Sequence, residues 1–106
     1  MVLDWHSISP RTMVPGFHGR FIHSANMTFA LWEIDEGAVL PEHSHPQEQV
    51  TQMIFGAFEL TVDGITHPLS EGQVLVIPSH AIHSGRAITV CKILDIFSPM
   101  REDYRF

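Results

Sequence analysis

Short segments rich in β-branched and aromatic residues, separated by turn signals, make up most of this chain. Such segments favour β-strands, because branched and flat side chains pack well on a pleated surface. We predict strands over residues 27–34, 49–55, 57–62, 74–77 and 88–97. No segment has convincing helical periodicity. Many short strands in a small chain predict an all-β sandwich or barrel, and periodicity alone does not choose between the two.

Turn residues separate the strand segments. Asp63-Gly64 lies between two strand-like runs, and Asp-Gly is the strongest local signal for a β-hairpin. Glu36-Gly37 and residues 70–73 mark two further turns. The sequence therefore predicts antiparallel strands joined by tight connections.

The length of 106 residues is enough for one hydrophobic core, so we expect residues 1–106 to form a single domain. Residues 1–17, rich in proline and glycine, are expected to form an N-terminal arm that packs on the barrel or on a second subunit. Residues 18–98 would form the barrel. Residues 99–106 are expected to be a charged C-terminal tail.

Charge and composition limit the classes of partner. The net charge of -6 and the lack of a basic cluster argue against nucleic acid or an anionic membrane. Residues 1–6 lack the features of a secretion signal, and no segment is apolar for the roughly 20 residues that a membrane span needs, so we expect a cytoplasmic location. The single cysteine, Cys91, is expected to be a small buried packing residue.

Three histidines and one amide have the spacing of a metal site. His43 and His45 are one residue apart, so on a strand they would project from the same face, with Cβ atoms roughly 7 Å apart. Gln49 opens the next strand segment, and His83 follows later in the chain. Glu48 is intrinsically the better anionic ligand, but strand alternation points it to the opposite face from Gln49. Imidazole nitrogens with an amide oxygen suit a divalent transition metal, and open coordination positions would allow catalysis.

These residues fall into two separated motifs. The first cupin motif is resembled by the pattern Gly37-x5-His43-x-His45-x3-Gln49-x6-Gly56, in which x stands for any residue. The second motif is resembled by Gly72-x5-Pro78 followed by His83. The resemblance implies a single-domain cupin, a small β-barrel or jelly roll of antiparallel strands, with His43, His45, Gln49 and His83 as metal ligands. It departs from the family pattern at Gln49, where an acidic residue is usual, and at His80, where glycine is expected.

Gln49 and the C-terminal segment make the resemblance more specific, because they are similar to one type of cupin. His-Ser-His-Pro with a glutamine ligand, and the ending from Asp95 to Tyr104, are similar to single-domain cupins of the pectin degradation protein KdgF type. That family converts 4,5-unsaturated uronates, released by pectin or alginate lyases, to the linear 4-deoxy-5-keto uronate. The resemblance implies that Asp95, Phe97 and Arg101 line the pocket. A neutral amide ligand leaves the ion its full double charge, which suits an anionic or enolising oxygen substrate.

Each assigned residue also has a structural explanation. Asp95 fits a satisfied buried carboxylate, Arg101 a surface charge paired with Glu102 or Asp103, and Phe97 a core residue. His80 would border the pocket mouth rather than bind metal. The remaining histidines have no ligand spacing and are expected to lie at the surface or in packing positions; they are His6, His18, His23 and His67.

Three function classes follow. The first is a metal-dependent, redox-neutral enzyme acting on an unsaturated uronate. The alternatives are a small cupin dioxygenase and a non-enzymatic sugar-binding module. The complete ligand set argues against the binding module, and Gln49 with the pocket residues favours the uronate enzyme. The metal is expected to be nickel, manganese, iron, zinc or cobalt. The partner is expected to be a small acidic sugar. Leu94 and Ile96, on the face opposite Asp95, together with the family resemblance, imply a homodimer.

Overall fold

The computed structural model describes all 106 residues and consists mainly of antiparallel β-strands. A short 3-10 helix, η1, spans Trp5–Ser7, and a second, η2, spans Glu102–Tyr104. Between them lie ten strands: β1 Arg11–Val14, β2 Phe17–His23, β3 Thr28–Ile34, β4 Val39–His43, β5 Glu48–Phe55, β6 Phe58–Val62, β7 Ile65–Leu69, β8 Val74–Ile77, β9 His83–Ala87 and β10 Cys91–Ser98. The all-β prediction is confirmed.

The strands form two sheets. The larger sheet has the order β1-β2-β3-β10-β5-β8, and the smaller has the order β4-β9-β6-β7. The last long strand, β10, lies in the middle of the larger sheet and pairs with both β3 and β5. The sheets do not close into a continuous barrel, so the architecture is the jelly-roll form of the predicted cupin fold. No helix in the structure is long and apolar enough to cross a membrane.

The hydrophobic core lies between the two sheets. Alternate residues of β3, β5, β6 and β10 are buried, as expected for strands with one face turned inward. The ring of Phe17 makes edge contacts with Trp32 of the larger sheet and Phe58 of the smaller sheet, at centroid distances of 6.2 and 6.3 Å. Such aromatic contacts join the two sheets across the core.

The hairpin predicted at Asp63-Gly64 is confirmed. It joins β6 to β7, and Val62 and Ile65 are paired on either side of the two turn residues. Both turn residues have positive φ, 47° for Asp63 and 81° for Gly64. A two-residue turn of this kind matches the twist of the flanking strands, and Asp and Gly are the residues that tolerate it.

Two sequence expectations differ from the structure in detail. The last strand was expected to begin at residue 88, but β10 begins at Cys91, because residues 88–90 form the connection from β9. Within the segment expected as an arm, Arg11–Val14 forms β1 and extends the larger sheet by pairing with β2. Cys91 is 1% exposed, and its Sγ lies 3.1 Å from the Ala57 carbonyl oxygen, so its expected packing role is confirmed.

Candidate metal centre and adjoining cavity

The three candidate histidine ligands come together at one end of the space between the sheets. His43 is the last residue of β4 and His83 the first residue of β9, and the two are paired across the smaller sheet. His45 lies in the loop after β4, so the prediction that both residues of the His43 and His45 pair lie on a strand is wrong. The loop still turns His45 toward its neighbours, and its ring centroid is 5.0 Å from that of His83.

Each histidine ring is held by a backbone carbonyl two residues away. The Nδ1 atoms of His43, His45 and His83 lie 2.7, 3.0 and 2.9 Å from the carbonyl oxygens of Pro41, Gln47 and Ala81 respectively. A carbonyl oxygen only accepts, so Nδ1 carries the proton in each contact. This leaves the three Nε2 atoms as lone-pair donors, the arrangement found in metal-binding histidines.

The donor atoms lie close enough together to hold one ion. The candidate ligand atoms of His43, His45 and His83 all lie within 4.8 Å of one another. His83 Nε2 is buried and has no hydrogen-bond partner. Burial lowers the pKa of His83 to about 4 and also lowers the pKa of His45, where the positive charge of Arg101 adds to the effect. The rings of His45 and His83 are therefore neutral at physiological pH, the form that binds metal.

Gln49 faces this group from the larger sheet. Strand alternation in β5 buries Gln49 and exposes Glu48, as predicted. The amide nitrogen of Gln49 donates to Thr51 Oγ1 at 2.9 Å, and the amide oxygen lies 3.1 Å from His45 Nε2. A neutral His45 has only one ring proton, so its Nε2 and the Gln49 oxygen are two acceptors that face each other. A divalent cation bound by both atoms removes that conflict, and the donor set therefore fits a transition metal.

A cavity of about 90 Å³ extends from this group into the core. Apolar side chains from both sheets form most of its wall, while the polar groups converge at the histidine end. The polar and charged lining residues are His43, Gln49, Thr51, Asp95, Arg101 and Tyr104, and the apolar ones include Met13, Val14, Trp32, Leu40, Phe58 and Phe97. An apolar pocket with a few convergent polar groups is the usual form of a small-molecule site.

Asp95 is buried in the cavity wall with both carboxylate oxygens hydrogen-bonded. Thr51 Oγ1 donates to Oδ1 at 2.7 Å, and Trp32 Nε1 donates to Oδ2 at 3.0 Å. Burial raises the pKa of Asp95 to about 6, although these hydrogen bonds favour the ionised form. Such a carboxyl group can change protonation state near neutral pH, as acid–base chemistry requires.

Arg101 is only 8% exposed and lines the cavity. Its backbone N–H donates to Thr28 Oγ1 at 2.8 Å, and its guanidinium forms two hydrogen bonds with Asp103, at 3.2 and 2.7 Å. The guanidinium carbon lies 3.9 Å from the ring centroid of Tyr104 and 4.9 Å from that of Phe97. The alternative of a solvated surface charge is therefore wrong for Arg101, although its pairing with Asp103 is observed.

Phe97 is a core residue that also borders the cavity. It is 1% exposed and makes an edge contact with the ring of His45, at a centroid distance of 5.5 Å. It therefore packs between His45 and Arg101. Its position alone explains its burial, and a contact with a ligand would involve only the edge that lines the cavity.

Sequence reasoning missed several residues of the cavity. Thr51 follows Gln49 by two positions on the same face of β5, so strand alternation alone was enough to find it. Trp32 reaches Asp95 through the pairing of β3 with β10, which the sequence does not reveal. Tyr104, in the segment expected to be a charged tail, lines the cavity and packs on Arg101. His80, as expected, is exposed, and its backbone N–H donates to the His45 carbonyl.

Two facing antiparallel sheets with three carbonyl-held histidines at one end of a cavity define a metal-binding β-sandwich protein. A family model described as the cupin domain matches residues 30–97. Since the match includes more than half of the chain, the chain belongs to the cupin family. The predicted fold and the resemblance to cupins are confirmed.

Solved structures show the same fold. KdgF from Halomonas sp. superposes with a TM-score of 0.92 and 28% sequence identity, covering 99% of this chain and 98% of that one. A cupin described as RmlC-like, from Shewanella frigidimarina, has a TM-score of 0.91 and 25% identity, covering 97% and 94% of the two chains. Oxalate decarboxylase from Bacillus subtilis has a TM-score of 0.83 at 20% identity, and the match covers 92% of this chain but 29% of that one. This last likeness shows the fold alone.

One curated relative was found by sequence. Protein SchB of Streptomyces halstedii is 41% identical over 51 residues, which are 47% of this chain. The match spans 37% of the length of SchB, little more than a third of that protein.

Proposed function

We propose that this cupin is a metal-dependent, redox-neutral enzyme that converts 4,5-unsaturated uronate monosaccharides to the linear 4-deoxy-5-keto uronate. The observation that carries the proposal is the arrangement of charges in one cavity. A buried guanidinium, Arg101, and a buried carboxyl group, Asp95, line the same small space as two of the candidate metal ligands, His43 and Gln49. The likeness to KdgF over nearly the whole of both chains supports this substrate class.

Arg101 is the group that would bind the uronate carboxylate. Its Nε and Nη2 atoms are engaged by Asp103, whereas its Nη1 makes no hydrogen bond within the protein. The stacking on Phe97 and Tyr104 fixes the plane of the guanidinium, so that its remaining donors have a set direction. Without an acidic metal ligand, the histidine end of the cavity also attracts an anion rather than repelling it.

Asp95 is the group that would move the proton. Ring opening removes the proton of the anomeric hydroxyl, forms the C1 carbonyl and breaks the bond between C1 and the ring oxygen, which leaves an enolate. Return of a proton at C4 then gives the 5-keto product, so the reaction needs no oxidant or reductant. A carboxyl group with a pKa of about 6 can hold a proton between these two events. Phe97 and the apolar wall would keep bulk water away from the enol.

The residues that would hold the metal are His43, His45, Gln49 and His83, with nickel, manganese, iron, zinc and cobalt as candidates. When bound, such an ion acts as a Lewis acid that lowers the pKa of a hydroxyl and stabilises developing negative charge on oxygen.

The test is an anaerobic assay of the metal-loaded protein against unsaturated uronates derived from galacturonate, guluronate and mannuronate. We expect the ultraviolet absorbance of the 4,5-double bond to disappear faster than in a protein-free blank and faster than with metal-stripped protein. No acceleration with any of the three substrates would overturn the proposal. Acceleration only in the presence of oxygen would instead support the alternative, a cupin dioxygenase.

We also propose that the chain works as a homodimer. On the outer face of the larger sheet, cross-strand pairing places apolar side chains in one row, namely Ile22, Phe29, Ile96, Val50 and Val76. A second copy supplies the same surface about a two-fold axis. Sedimentation equilibrium at micromolar concentration should give twice the chain mass, and the charged substitution Val76→Lys should reduce it. A monomer in both proteins would contradict this proposal.

A further inference from the structure

A chain of buried hydrogen bonds leads from Gln49 through Thr51 and Asp95 to Trp32. We propose that Trp32, Asp95 and Thr51 act as positioning residues that orient the Gln49 amide, so that its oxygen and not its nitrogen faces the metal site. The same chain of contacts favours an amide over a carboxylate at position 49. The inference rests on Gln49 as a metal ligand, and it is independent of the substrate.

The direction of each hydrogen bond follows from the first one. The Trp32 indole can only donate, and its Nε1 lies 3.0 Å from Asp95 Oδ2. Thr51 donates its one hydroxyl proton to Asp95 Oδ1 at 2.7 Å. Its oxygen can then only accept, and it does so from the Gln49 amide nitrogen at 2.9 Å. The amide oxygen is thereby turned toward His45 Nε2, at 3.1 Å.

Burial opposes any reversal of these hydrogen-bond directions. All four side chains belong to residues with exposures between 3% for Thr51 and 8% for Asp95. In such surroundings a polar group left without its partner destabilises the fold, so reversing a single link is opposed by every other link in the chain. The amide orientation is therefore set by a donor, Trp32, on a different strand of the sheet.

The same contacts account for the departure from the usual acidic ligand at this position. A carboxylate at position 49 would turn an oxygen toward Thr51 Oγ1, whose proton is already given to Asp95. Two acceptors would then face each other, and two carboxylates would be separated by a single hydroxyl group. Like charges at that distance disfavour each other's ionised form. Gln49 is thus the residue that Thr51 and Asp95 require.

Replacing Asp95 with asparagine reverses the chain and gives a sharp test. Trp32 still needs an acceptor, so the asparagine oxygen faces Trp32 and its amide group donates to Thr51. The Thr51 proton is then free to point at position 49, which suits a carboxylate and opposes the native amide orientation. Both Asp95→Asn and Gln49→Glu preserve side-chain size, so neither is expected to prevent folding.

The experiment measures Co²⁺ affinity and the visible Co²⁺ spectrum for the native protein, Asp95→Asn, Gln49→Glu and the double variant. We expect Asp95→Asn to weaken Co²⁺ binding about 10- to 100-fold when Gln49 is present, as for other groups that orient metal ligands. In the Gln49→Glu background the same substitution should strengthen binding. The reversal of sign distinguishes orientation from a simple loss of negative charge, which would weaken binding in both backgrounds.

Three further substitutions complete the experiment, two of them as controls. Asp103→Asn removes a carboxylate near Arg101 without touching the chain of contacts, and its effect on Co²⁺ affinity should be the same in both backgrounds. Thr51→Ser keeps the hydroxyl group and should bind Co²⁺ nearly as the native protein does, whereas Thr51→Val should not. Weakening by Asp95→Asn in both backgrounds, or native affinity in Thr51→Val, would overturn the inference. Failure of the uronate assay leaves these titrations unaffected, so the two proposals fail separately.

Discussion

The two polar groups that meet in the cavity are held in place by contacts of very different range. In the histidine group, His43, His45 and His83, each ring is fixed by a carbonyl two residues away in the chain. In the Asp95 network, which consists of Asp95, Thr51 and Trp32, the hydrogen bonds join residues 44 and 63 positions apart. The histidine group therefore depends on local backbone conformation, and the Asp95 network depends on the packing of the larger sheet.

Because of this difference, the histidine group and the Asp95 network should respond to different substitutions. A local contact persists as long as its own loop or strand end keeps its conformation. A long-range contact weakens whenever the pairing of distant strands shifts. Metal affinity should therefore respond most strongly to substitutions within the histidine group, and less strongly, through the orientation of Gln49, to substitutions in the Asp95 network. Substrate binding and proton transfer should also respond to substitutions far away in the sheet.

The largest effect is expected from removal of a histidine. His83→Ala deletes a buried ring whose Nε2 has no other partner, so Co²⁺ affinity should fall by more than the factor of about 100 that a supporting residue can cost. Isothermal titration with Co²⁺ measures this change. His67→Ala, in β7 and away from the cavity, is the matched control and should bind Co²⁺ normally. Equal affinities in the two variants would mean that the histidine group holds no metal.

The next largest effect is expected on substrate binding by Arg101. Arg101→Gln removes the buried guanidinium but keeps a polar side chain, so uronate affinity should fall about 10- to 100-fold, the range for a charged hydrogen bond. Neutral sugars should be affected far less, and Co²⁺ affinity should stay close to native. Arg86→Gln removes an exposed arginine from the smaller sheet and is the control. A similar loss for neutral sugars would show that Arg101 does not bind the carboxylate.

The same difference in range explains what the sequence could predict. The histidine group was found because motif spacing is a local property, and the strand-forming residues and the Asp63-Gly64 turn are local signals too. Trp32 was missed because its partnership with Asp95 exists only once β3 and β10 are paired. His45 was placed on a strand because the residue pattern alternates, whereas β4 ends at His43. Burial of Tyr104 against Arg101 depends on tertiary packing that a charged segment does not reveal.

A smaller effect should come from a glycine outside the cavity. In β2, a Cβ added at Gly19 would lie 2.7 Å from Trp32 Cζ3 and 2.8 Å from Phe21 Cζ. Gly19→Ala must therefore displace the indole that donates to Asp95. We expect the free energy of unfolding to fall by about 1–3 kcal/mol, as for other overpacked cores. Urea denaturation measures it.

Gly19→Ala also separates the two groups functionally. Uronate turnover should fall because the Asp95 carboxylate loses the support of Trp32. Co²⁺ affinity should also fall, because Trp32 helps to orient Gln49, but by less than in His83→Ala, because the carbonyl contacts of the histidine group are untouched. A loss of Co²⁺ affinity as large as in His83→Ala would break the distinction between local and long-range support.

The subtlest expected effect is on the pH dependence of stability in metal-free protein. The folded state holds His83 at a pKa of about 4, below its ordinary 6.5, so this group stabilises the fold above pH 6.5 and the contribution is lost as the pH falls toward 4. The contribution of Asp95 to stability changes with pH in the opposite direction. Its pKa is raised from 3.8 to about 6, so its burial destabilises the fold above pH 6 and the penalty is relieved as the pH falls toward 4.

The two contributions oppose each other over the same interval, so acidification should change the stability of the native protein only gradually between pH 6.5 and 4. Asp95→Asn removes the compensating carboxyl group, so that nothing offsets the contribution of His83. Its urea midpoint should therefore fall more steeply than that of the native protein as the pH decreases across this interval. All other titrating groups are shared by the two proteins and cancel in the comparison. Parallel curves would mean that Asp95 is not held above its ordinary pKa, and that it does not offset the contribution of the histidine group.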